Sequence, residues 1–188
     1  MSSSFITNKE KFLSDIINGI LPKTNAVDIL VGYFYFSGYV QLSDNLKNKQ
    51  IRILVGLDVD LQISGHICEV EAIRKRLISR GAVTEEYYEQ LVKLINESDF
   101  LDTAEKQEQF KMFYGKVLDG TLEIRKTLEP CHSKMYLFAY NDLVNEGGEL
   151  PGVLITGSSN LSYQGLKGRL ELNARFNDKQ DYDEGKRL

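Results

Sequence analysis

Two nearly continuous apolar segments stand out along the first third of the chain: "AVDILVGYFYFSG" at 26 to 38 and "QIRILVGLDV" at 50 to 59. Both are rich in β-branched and aromatic residues, which is typical of buried strands. The polar-apolar segment between them, "YVQLSDNLKNK", is long enough for a crossover helix. A strand, helix and strand in this order predict a mostly parallel sheet.

A helical pattern precedes the first strand. In "TNKEKFLSDIINGIL", Thr7 and Glu10 have the spacing of a capping box, and Phe12, Ile16 and Ile20 fall on one face of a helix. The first element is therefore predicted to be a helix.

A longer helical region follows the second strand, at about 69 to 119. One amphipathic segment stops at Gly81, and the next begins with Thr84 as its cap. A third helix is predicted to start at Asp102, with Glu105 in the N3 position. This region is interpreted as a helical insert.

Strand patterns return in the last third, as "TLEIRKT", "CHSKMYLFAY", "GVLITGSSN" and "RLELNARF", and the Gly-rich "NEGGELPG" is interpreted as a hairpin loop. The prediction is one α/β domain over residues 1–177, with a mixed, mostly parallel central sheet flanked by helices. Residues 178–188 are interpreted as a polar tail, either natural or the truncated linker to a further domain.

Composition narrows the class of protein. The 188 residues are 42% hydrophobic, carry a formal net charge of -4 and include only two cysteines, Cys68 and Cys131. The acidic balance argues against a protein that coats nucleic acid nonspecifically, although a local cationic cleft is compatible with it. No apolar segment is long enough to span a membrane, and the start lacks the pattern of a signal peptide. We therefore expect a cytoplasmic protein without a membrane partner.

The segment that carries candidate chemistry is "EPCHSKMYLFAY", in which His132 lies two residues before Lys134. In a strand, residues two apart point to the same face, so these two side chains would project together. For an isolated pair, the commoner explanation is a partly buried histidine beside a lysine with no catalytic role.

The next strand ends in "GSSN", which places Ser158 and Asn160 at its carboxyl end, the usual place for ligands in such sheets. Ser162 is predicted to cap a short helix after it. Glu171, in the following strand, is a candidate to accept a hydrogen bond from the ring of His132. The alternatives are an ordinary turn and a surface glutamate.

Together these residues resemble the motif of the phospholipase D superfamily: HxK, a strand that ends in GSxN, and a glutamate after a short helix. The early "DILVGYFYFSG" looks like the first core strand of that family. One position departs from the motif, because Ala139 stands where the family has an aspartate five residues after the lysine. Asp142 is near but out of register.

The resemblance implies a metal-independent phosphodiesterase without a cofactor. In that chemistry one histidine attacks phosphorus, a second protonates the leaving oxygen, and water hydrolyses the phosphohistidine. By this resemblance His132 is nucleophile or acid, Lys134 and Asn160 hold the phosphate, Ser158 is an ancillary donor, and Glu171 orients the histidine.

The mechanism needs two histidines, and the only other one, His66, lies outside any such motif. The family's single-motif members pair two chains around one cleft, so the resemblance implies a homodimer. His66 is interpreted as a loop or helix-start residue.

The expected substrate is nucleic acid, most specifically DNA, since the short single-motif form is similar to the superfamily's nucleases. Lys126, Lys167 and Arg169 are candidate phosphate contacts. Tyrosines near the motif either stack on bases or, for the pair on the first long strand, pack in the core; they are Tyr33, Tyr35 and Tyr163.

Two classes of function stay open, a DNA endonuclease and a binding module that keeps the fold without activity. The domain is also similar to those at the N-terminus of bacterial superfamily II helicases. The sequence contains no GxxxxGK[ST], so any ATPase would lie in a further domain outside these residues.

Overall fold

The computed structural model describes residues 4–59 and 103–188. Contacts between residues divide the chain into two compact units, Met1–Asp60 with Ile124–Leu188 and, separately, Leu61–Glu123. The predicted insert at about 69 to 119 falls in the second unit, and most of it lies outside the described residues. The candidate chemistry belongs to the first unit.

A seven-stranded sheet organises the fold, with the strand order β1-β7-β6-β5-β2-β3-β4. The strands are β1 (Phe5–Ile6), β2 (Thr24–Phe34), β3 (Gln50–Val59), β4 (Leu122–Lys126), β5 (Met135–Tyr140), β6 (Gly152–Gly157) and β7 (Asn173–Phe176). The described α-helices are α1 (Leu13–Ile20), α2 (Phe36–Val40), α3 (Ser43–Leu46), α4 (Ala104–Asp119) and α5 (Lys179–Gly185). Short 3₁₀ helices cover Leu21–Lys23 and Glu146–Gly148, and a π-helical turn covers Gln164–Gly168.

The sheet is mixed, which confirms the predicted α/β class, but its strands are not mostly parallel. Strands β2 and β3 run parallel, with Val27 opposite Ile51. Strand β5 is antiparallel to β2 and to β6, and β7 is antiparallel to β6 and to β1. The prediction extended the crossover of the first two strands to the whole sheet, whereas the later strands are joined by short connections that favour antiparallel neighbours.

Of the two long apolar segments, β2 is an interior strand between β5 and β3, as predicted, and β3 lies next to the edge strand β4. On β2, Val27 and Val31 are almost completely buried, and Phe138 of β5 lies opposite Val27. The first strand is shorter than predicted, because the chain turns into α2 at Phe36. The predicted crossover helix between β2 and β3 is present as two short helices, α2 and α3.

The predicted capping box at Thr7 and Glu10 is wrong. Phe5 and Ile6 instead form an edge strand opposite Ala174 and Asn173 of β7, and α1 begins only at Leu13. The predicted helix start does not form because Phe5 and Ile6, just before it, gain backbone hydrogen bonds to β7, a strand distant in sequence. The two predicted helices before Asp102 lie outside the described residues, whereas α4 begins one residue later than expected, with Thr103 as its cap.

Residues 178–188 are not a polar tail. They contain helix α5, which Asp178 caps by accepting a hydrogen bond from the backbone N–H of Asp181. Tyr182 of this helix is buried against Leu137 and Leu154, on the face of the sheet formed by β5 and β6. A single aromatic residue in a polar segment anchors the helix, which a composition-based interpretation does not detect.

Candidate active site

The motif residues meet at one edge of the sheet because of its strand directions. Strand β5 starts beside the carboxyl-terminal half of β2, with Met135 opposite Leu30, and β6 ends beside that start, with Thr156 opposite Met135. Strand β7 starts where β6 ends, at the pair Gly157 and Asn173. The segment before β5, the turn after β6 and the segment before β7 therefore lie side by side.

Gly32, near the end of β2, lies at the point where three motif residues converge. A Cβ atom on this glycine would lie 3.4 Å from Asn160 Oδ1, 3.4 Å from His132 Cδ2 and 3.5 Å from Lys134 Nζ. Glycine in a strand often marks a close approach by another group. The sheet thus brings the imidazole, ammonium and amide groups of the motif into one small volume.

His132 and Lys134 precede β5 instead of lying within it, yet their side chains still meet. The Nζ atom of Lys134 lies 2.8 Å from His132 Nδ1, and it also donates to the backbone carbonyl of His132. Lys134 is 4% exposed, whereas His132 is exposed to solvent. The histidine is therefore accessible to a ligand, and the buried lysine contacts it from the interior side.

The contact with Lys134 decides which ring nitrogen of a neutral His132 carries the proton. Burial lowers the pKa of the Lys134 amino group from its ordinary value, while the carboxylate of Glu171 and the thiol of Cys131 raise it. A charged lysine can only donate, so a neutral His132 then carries its proton on Nε2. A neutral lysine can instead accept a hydrogen bond from Nδ1–H, which leaves the Nε2 lone pair free.

The predicted hydrogen bond between Glu171 and the ring of His132 is not formed. The Glu171 carboxylate accepts a short hydrogen bond from the Ser158 hydroxyl, which itself accepts one from the backbone N–H of Leu172 at 3.0 Å. Glu171 acts on Lys134 through its charge, since it raises the pKa of the lysine. Ser158 and Glu171 form a pair at the start of β7.

Asn160 is fixed by the end of β2. Its side-chain Oδ1 accepts a hydrogen bond from the backbone N–H of Tyr33 at 2.9 Å, and the next residue, Leu161, accepts one from the N–H of Tyr35 at 2.9 Å. These bonds leave the Nδ2 amino group as the donor that Asn160 offers to a ligand.

Buried polar residues hold the GSSN turn from inside. Asn173 is 1% exposed; its side chain donates to Ser159 Oγ at 2.9 Å and accepts from the backbone N–H of Ser159 at 3.3 Å. Tyr136, whose pKa is raised by burial, donates its hydroxyl to the carbonyl of Ser159 at 2.9 Å. The turn that carries Ser158 and Asn160 is thereby attached to both neighbouring strands.

A cavity of about 490 Å³ opens beside the motif. Its lining residues are Tyr33, Tyr35, Ser37, Asn160, Ser162, Tyr163, Gln164, Gly165, Arg169 and Glu171. Tyr33 and Tyr35 line this space, so core packing does not account for them. The ring of Tyr33 also lies 6.4 Å from the ring of His132, edge to face, which places the cavity next to the histidine.

The three predicted phosphate-contacting cations lie in different settings. Arg169 lines the cavity. Lys167 lies over the ring of Phe12, 5.5 Å from its centroid, and Lys126 is 3.9 Å from Asp58 on the neighbouring β3. The structure therefore brings Arg169 to the cavity and gives the two lysines other neighbours.

The missing motif aspartate is remote from the site. Ala139 lies near the end of β5, opposite Ala26 and Gly152, about five residues or roughly 17 Å along the strand from Lys134. Asp142 follows the strand. A carboxylate at position 139 would thus not touch the histidine.

Two positions that the sequence reasoning missed support the site. In the sequence, Gly32 is recognisable only as a glycine within an apolar strand pattern. Asn8, which has a φ of 57°, accepts a hydrogen bond from the N–H of Leu13 and donates to the carbonyls of Gly165 and Arg169. Asparagine tolerates this left-handed conformation better than most residues, but nothing in the local pattern connects it to residues so distant in sequence.

Within residues 4–59 and 103–188, no cluster of three or more His, Cys, Asp and Glu side chains has an arrangement suited to a metal ion. Among the helices of the same ranges, none has the length and apolar character needed to cross a membrane.

Solved structures resemble this chain, whereas family models and curated proteins do not. No protein-family model matches the chain, and no curated protein matches it. The crystal structure of polyphosphate kinase from Porphyromonas gingivalis superposes with a TM-score of 0.48 at 12% sequence identity, over 97% of this chain and 21% of that one. The chain thus spans about a fifth of the length of that enzyme.

Proposed function

We propose that this chain is a phosphoryl-transfer enzyme of the phospholipase D type, and more specifically a metal-independent phosphodiesterase that cleaves DNA internally. The observation that carries the proposal is the convergence of His132, Lys134 and Asn160 on Gly32. Motif residues from two segments of the chain meet at this glycine of β2, and each has the chemistry that the motif requires.

Lys134 and Asn160 are suited to hold the non-bridging oxygens of a phosphodiester. The ammonium provides positive charge in a buried position, where electrostatic interactions are stronger than in water, and the amide adds a neutral donor. Because both groups are fixed before the substrate arrives, little reorganisation accompanies the build-up of charge on the phosphate.

In the first step, a lone pair on Nε2 of His132 forms a bond to phosphorus, and the bond from phosphorus to the leaving oxygen breaks. That oxygen takes a proton from a second histidine. Water then attacks the phosphohistidine, the N–P bond breaks, and the second histidine takes the proton of the water. The attacking form of His132 has its proton on Nδ1, so the Lys134 hydrogen that points to Nδ1 has to turn to a phosphate oxygen when the substrate binds.

The second histidine is assigned to another copy of the same chain, in a two-fold symmetric homodimer. In that arrangement His132 of one protomer attacks and the symmetry-related residue donates the proton. The chain's other histidine, His66, lies outside the described residues and outside the motif.

Ser158 and Glu171 are assigned positioning roles. Their hydrogen bond supports the turn that ends in Asn160, and the charge of Glu171 keeps Lys134 more basic than burial alone would leave it. Glu171 thus helps to keep Lys134 in the charged form that holds the phosphate.

The experiment that tests the proposal is cleavage of single- and double-stranded DNA in excess EDTA by the wild-type chain, by His132→Ala and by His66→Ala. We expect wild type and His66→Ala to cleave and His132→Ala to lose at least a thousandfold in rate, as expected when a covalent nucleophile is removed. Equal cleavage by the two histidine variants would remove the assignment of His132.

A nucleic-acid-binding module without activity is the second candidate, favoured by the contact between Lys134 and His132. If Lys134 keeps donating to Nδ1 when DNA is bound, His132 Nε2 remains protonated and has no free lone pair for attack. That function predicts DNA binding by wild type without cleavage.

The resemblance to the phospholipase D superfamily also suggests two partners, DNA and a helicase domain. We propose DNA contacts through Arg169, with Lys126 and Lys167 further along the backbone, and association with a helicase motor in a longer protein. A binding assay that compares salt dependence for Arg169→Ala and Lys126→Ala tests the first part, since each lost phosphate contact reduces the salt slope by about one.

A further inference from the structure

We propose that the cavity beside the motif binds one unpaired nucleobase with its sugar, as part of a nucleotide whose phosphate lies at Lys134 and His132. The inference rests on the proposed function and specifies its substrate as a nucleic acid strand with an unpaired nucleotide at the cleavage site. Four features of the described residues carry it.

The first feature is a pair of exposed aromatic rings on the cavity wall. Tyr35 is 43% exposed and Tyr163 is 44% exposed, although most large apolar side chains of the sheet are buried. Aromatic rings that line a cavity and remain open to solvent are the usual platforms on which bases stack.

The second feature is the rigidity of the backbone under these rings. Tyr35 N–H donates to Leu161 at 2.9 Å, and Tyr163 N–H donates to Ser37 Oγ at 3.3 Å, so the two segments are bonded to each other. At Gly38 the segments approach so closely that a Cβ atom would lie 2.4 Å from the backbone of Leu161. The backbone that carries Tyr35 and Tyr163 is therefore in place before any ligand binds.

The third feature is that the cavity and the phosphate site share residues. Asn160 lines the cavity and also lies at Gly32 beside Lys134, and Tyr33 lines the cavity and contacts the ring of His132. A phosphate held by Lys134 thus lies next to the cavity, as the base and phosphate of one nucleotide require.

The fourth feature is the balance of the lining. Arg169 and Glu171 are its two charged members, and the others are tyrosines, serines, amides and a glycine. A volume of about 490 Å³ is within the range of small-molecule sites, which is ample for one nucleoside. Apart from Arg169, which is assigned a contact with a DNA phosphate, the neutral polar groups and Glu171 suit an uncharged base and sugar.

A base in this cavity cannot remain paired. The substrate is therefore a single strand, or a duplex from which one nucleotide has been flipped out at an energetic cost. Stacking on tyrosine is tolerant of base identity, because every base has an aromatic face. We infer a preference for unpaired strands with little dependence on sequence.

The test is a comparison of two compounds that differ only in the base. Thymidine 5′-monophosphate and 2-deoxyribose 5-phosphate are titrated into the wild-type chain, with binding followed by NMR chemical shifts. We expect the nucleotide to bind roughly five- to a hundredfold more tightly, which is the contribution of one stacked base. Tyr163→Ala should remove most of this difference, whereas Tyr163→Phe should keep it. Phe5→Ala, which removes an exposed ring outside the cavity lining, is the matched control.

Equal dissociation constants for the two compounds, or no binding of either, would overturn the inference. The outcome is separable from that of the DNA cleavage assay. Cleavage that depends on His132 but is unaffected by Tyr163→Ala leaves the enzyme proposal standing without the base subsite. A tyrosine-dependent preference for the nucleotide, without cleavage, leaves the subsite in place and favours the binding module.

Discussion

The carboxylate of Glu171 accepts its hydrogen bond from the hydroxyl of Ser158, not from the ring of His132. The residue expected to orient the histidine therefore acts on it indirectly, through the charge it contributes near Lys134. This arrangement differs from a carboxylate–histidine pair, because the ring of His132 contacts a lysine whose pKa is lowered by burial.

Glu171→Gln is expected to lower the pKa of Lys134. The negative charge of Glu171 favours the ammonium, so its removal leaves the effect of burial less opposed. The neutral fraction of Lys134 at a fixed pH rises as a result. The measurement is a pH titration of ¹³C-labelled lysine by NMR, with the Lys134 signal assigned from Lys134→Met.

Glu146→Gln is the control for this titration, because residue 146 lies in the loop between β5 and β6, at the opposite end of β5 from Lys134. The Lys134 titration should be the same in Glu146→Gln and in wild type. An unchanged pKa in Glu171→Gln would show that the two groups do not interact.

Gly32→Ala is expected to abolish cleavage while leaving the fold intact. A methyl group there would meet Asn160, His132 and Lys134 at 3.4 to 3.5 Å, which is ordinary van der Waals contact. It would nevertheless occupy the space in which a phosphate oxygen approaches the lysine. Activity should fall by at least a hundredfold, with a change in the free energy of unfolding of about 1 kcal/mol or less.

Gly115→Ala, in α4, serves as the matched glycine control because, among the described residues outside its own helix backbone, none has an atom within 4 Å of its Cβ position. It should retain full activity. A Gly32→Ala protein that is folded and as active as wild type would contradict the placement of the phosphate at this glycine.

Asn8→Ala is expected to destabilise the first unit by about 2 kcal/mol. The side chain makes three hydrogen bonds in a nearly buried position, and alanine is unfavourable at a φ of 57°. Asn8→Gly separates the two effects, since glycine accepts the backbone conformation without restoring the bonds. Urea unfolding should place Asn8→Gly between wild type and Asn8→Ala; equal stability of all three would refute the bridging role.

Tyr182→Ala is expected to lower the free energy of unfolding by about 3 kcal/mol, because a 4% exposed ring leaves a cavity against Leu137 and Leu154. Gly152→Ala should also destabilise, since its Cβ would lie 2.4 Å from the Tyr182 ring. Leu143→Ala, at a 90% exposed position, is the control and should have little effect. A Tyr182→Ala protein as stable as wild type would show that α5 is not anchored by this residue.

The sequence predicted the strands better than their directions. Apolar segments rich in β-branched and aromatic residues identify β2, β3, β5 and β6. In β5 and β6 consecutive residues are buried, whereas β3 alternates between buried and exposed positions. Direction depends on which strands become neighbours, and the pairing of β2 with β5 joins residues that are far apart along the chain. Hydrophobic pattern carries no information on that choice.

The candidate site was predictable as a set of residue types, and its contacts were not. Motif spacing indicated His132, Lys134 and Asn160, which the structure brings together at Gly32. The hydrogen-bond partner of Glu171 depends on how β7 pairs within the sheet. Asn8, which is distant in sequence, donates to the carbonyl of Arg169. Such contacts come from tertiary packing, which can override local pattern.

The pairing of β1 with β7 has a consequence for biosynthesis. Phe5 and Ile6 are synthesised long before their partners Ala174 and Asn173 in β7. Strand β2 is likewise made well before β5, whose pairing brings His132 to Gly32. Until β5 and β7 have left the ribosome, the nascent chain therefore carries unpaired strand edges, and such edges are prone to aggregation and to capture by chaperones. We expect the sheet to close only after β7 has been made, at a rate limited by these distant contacts.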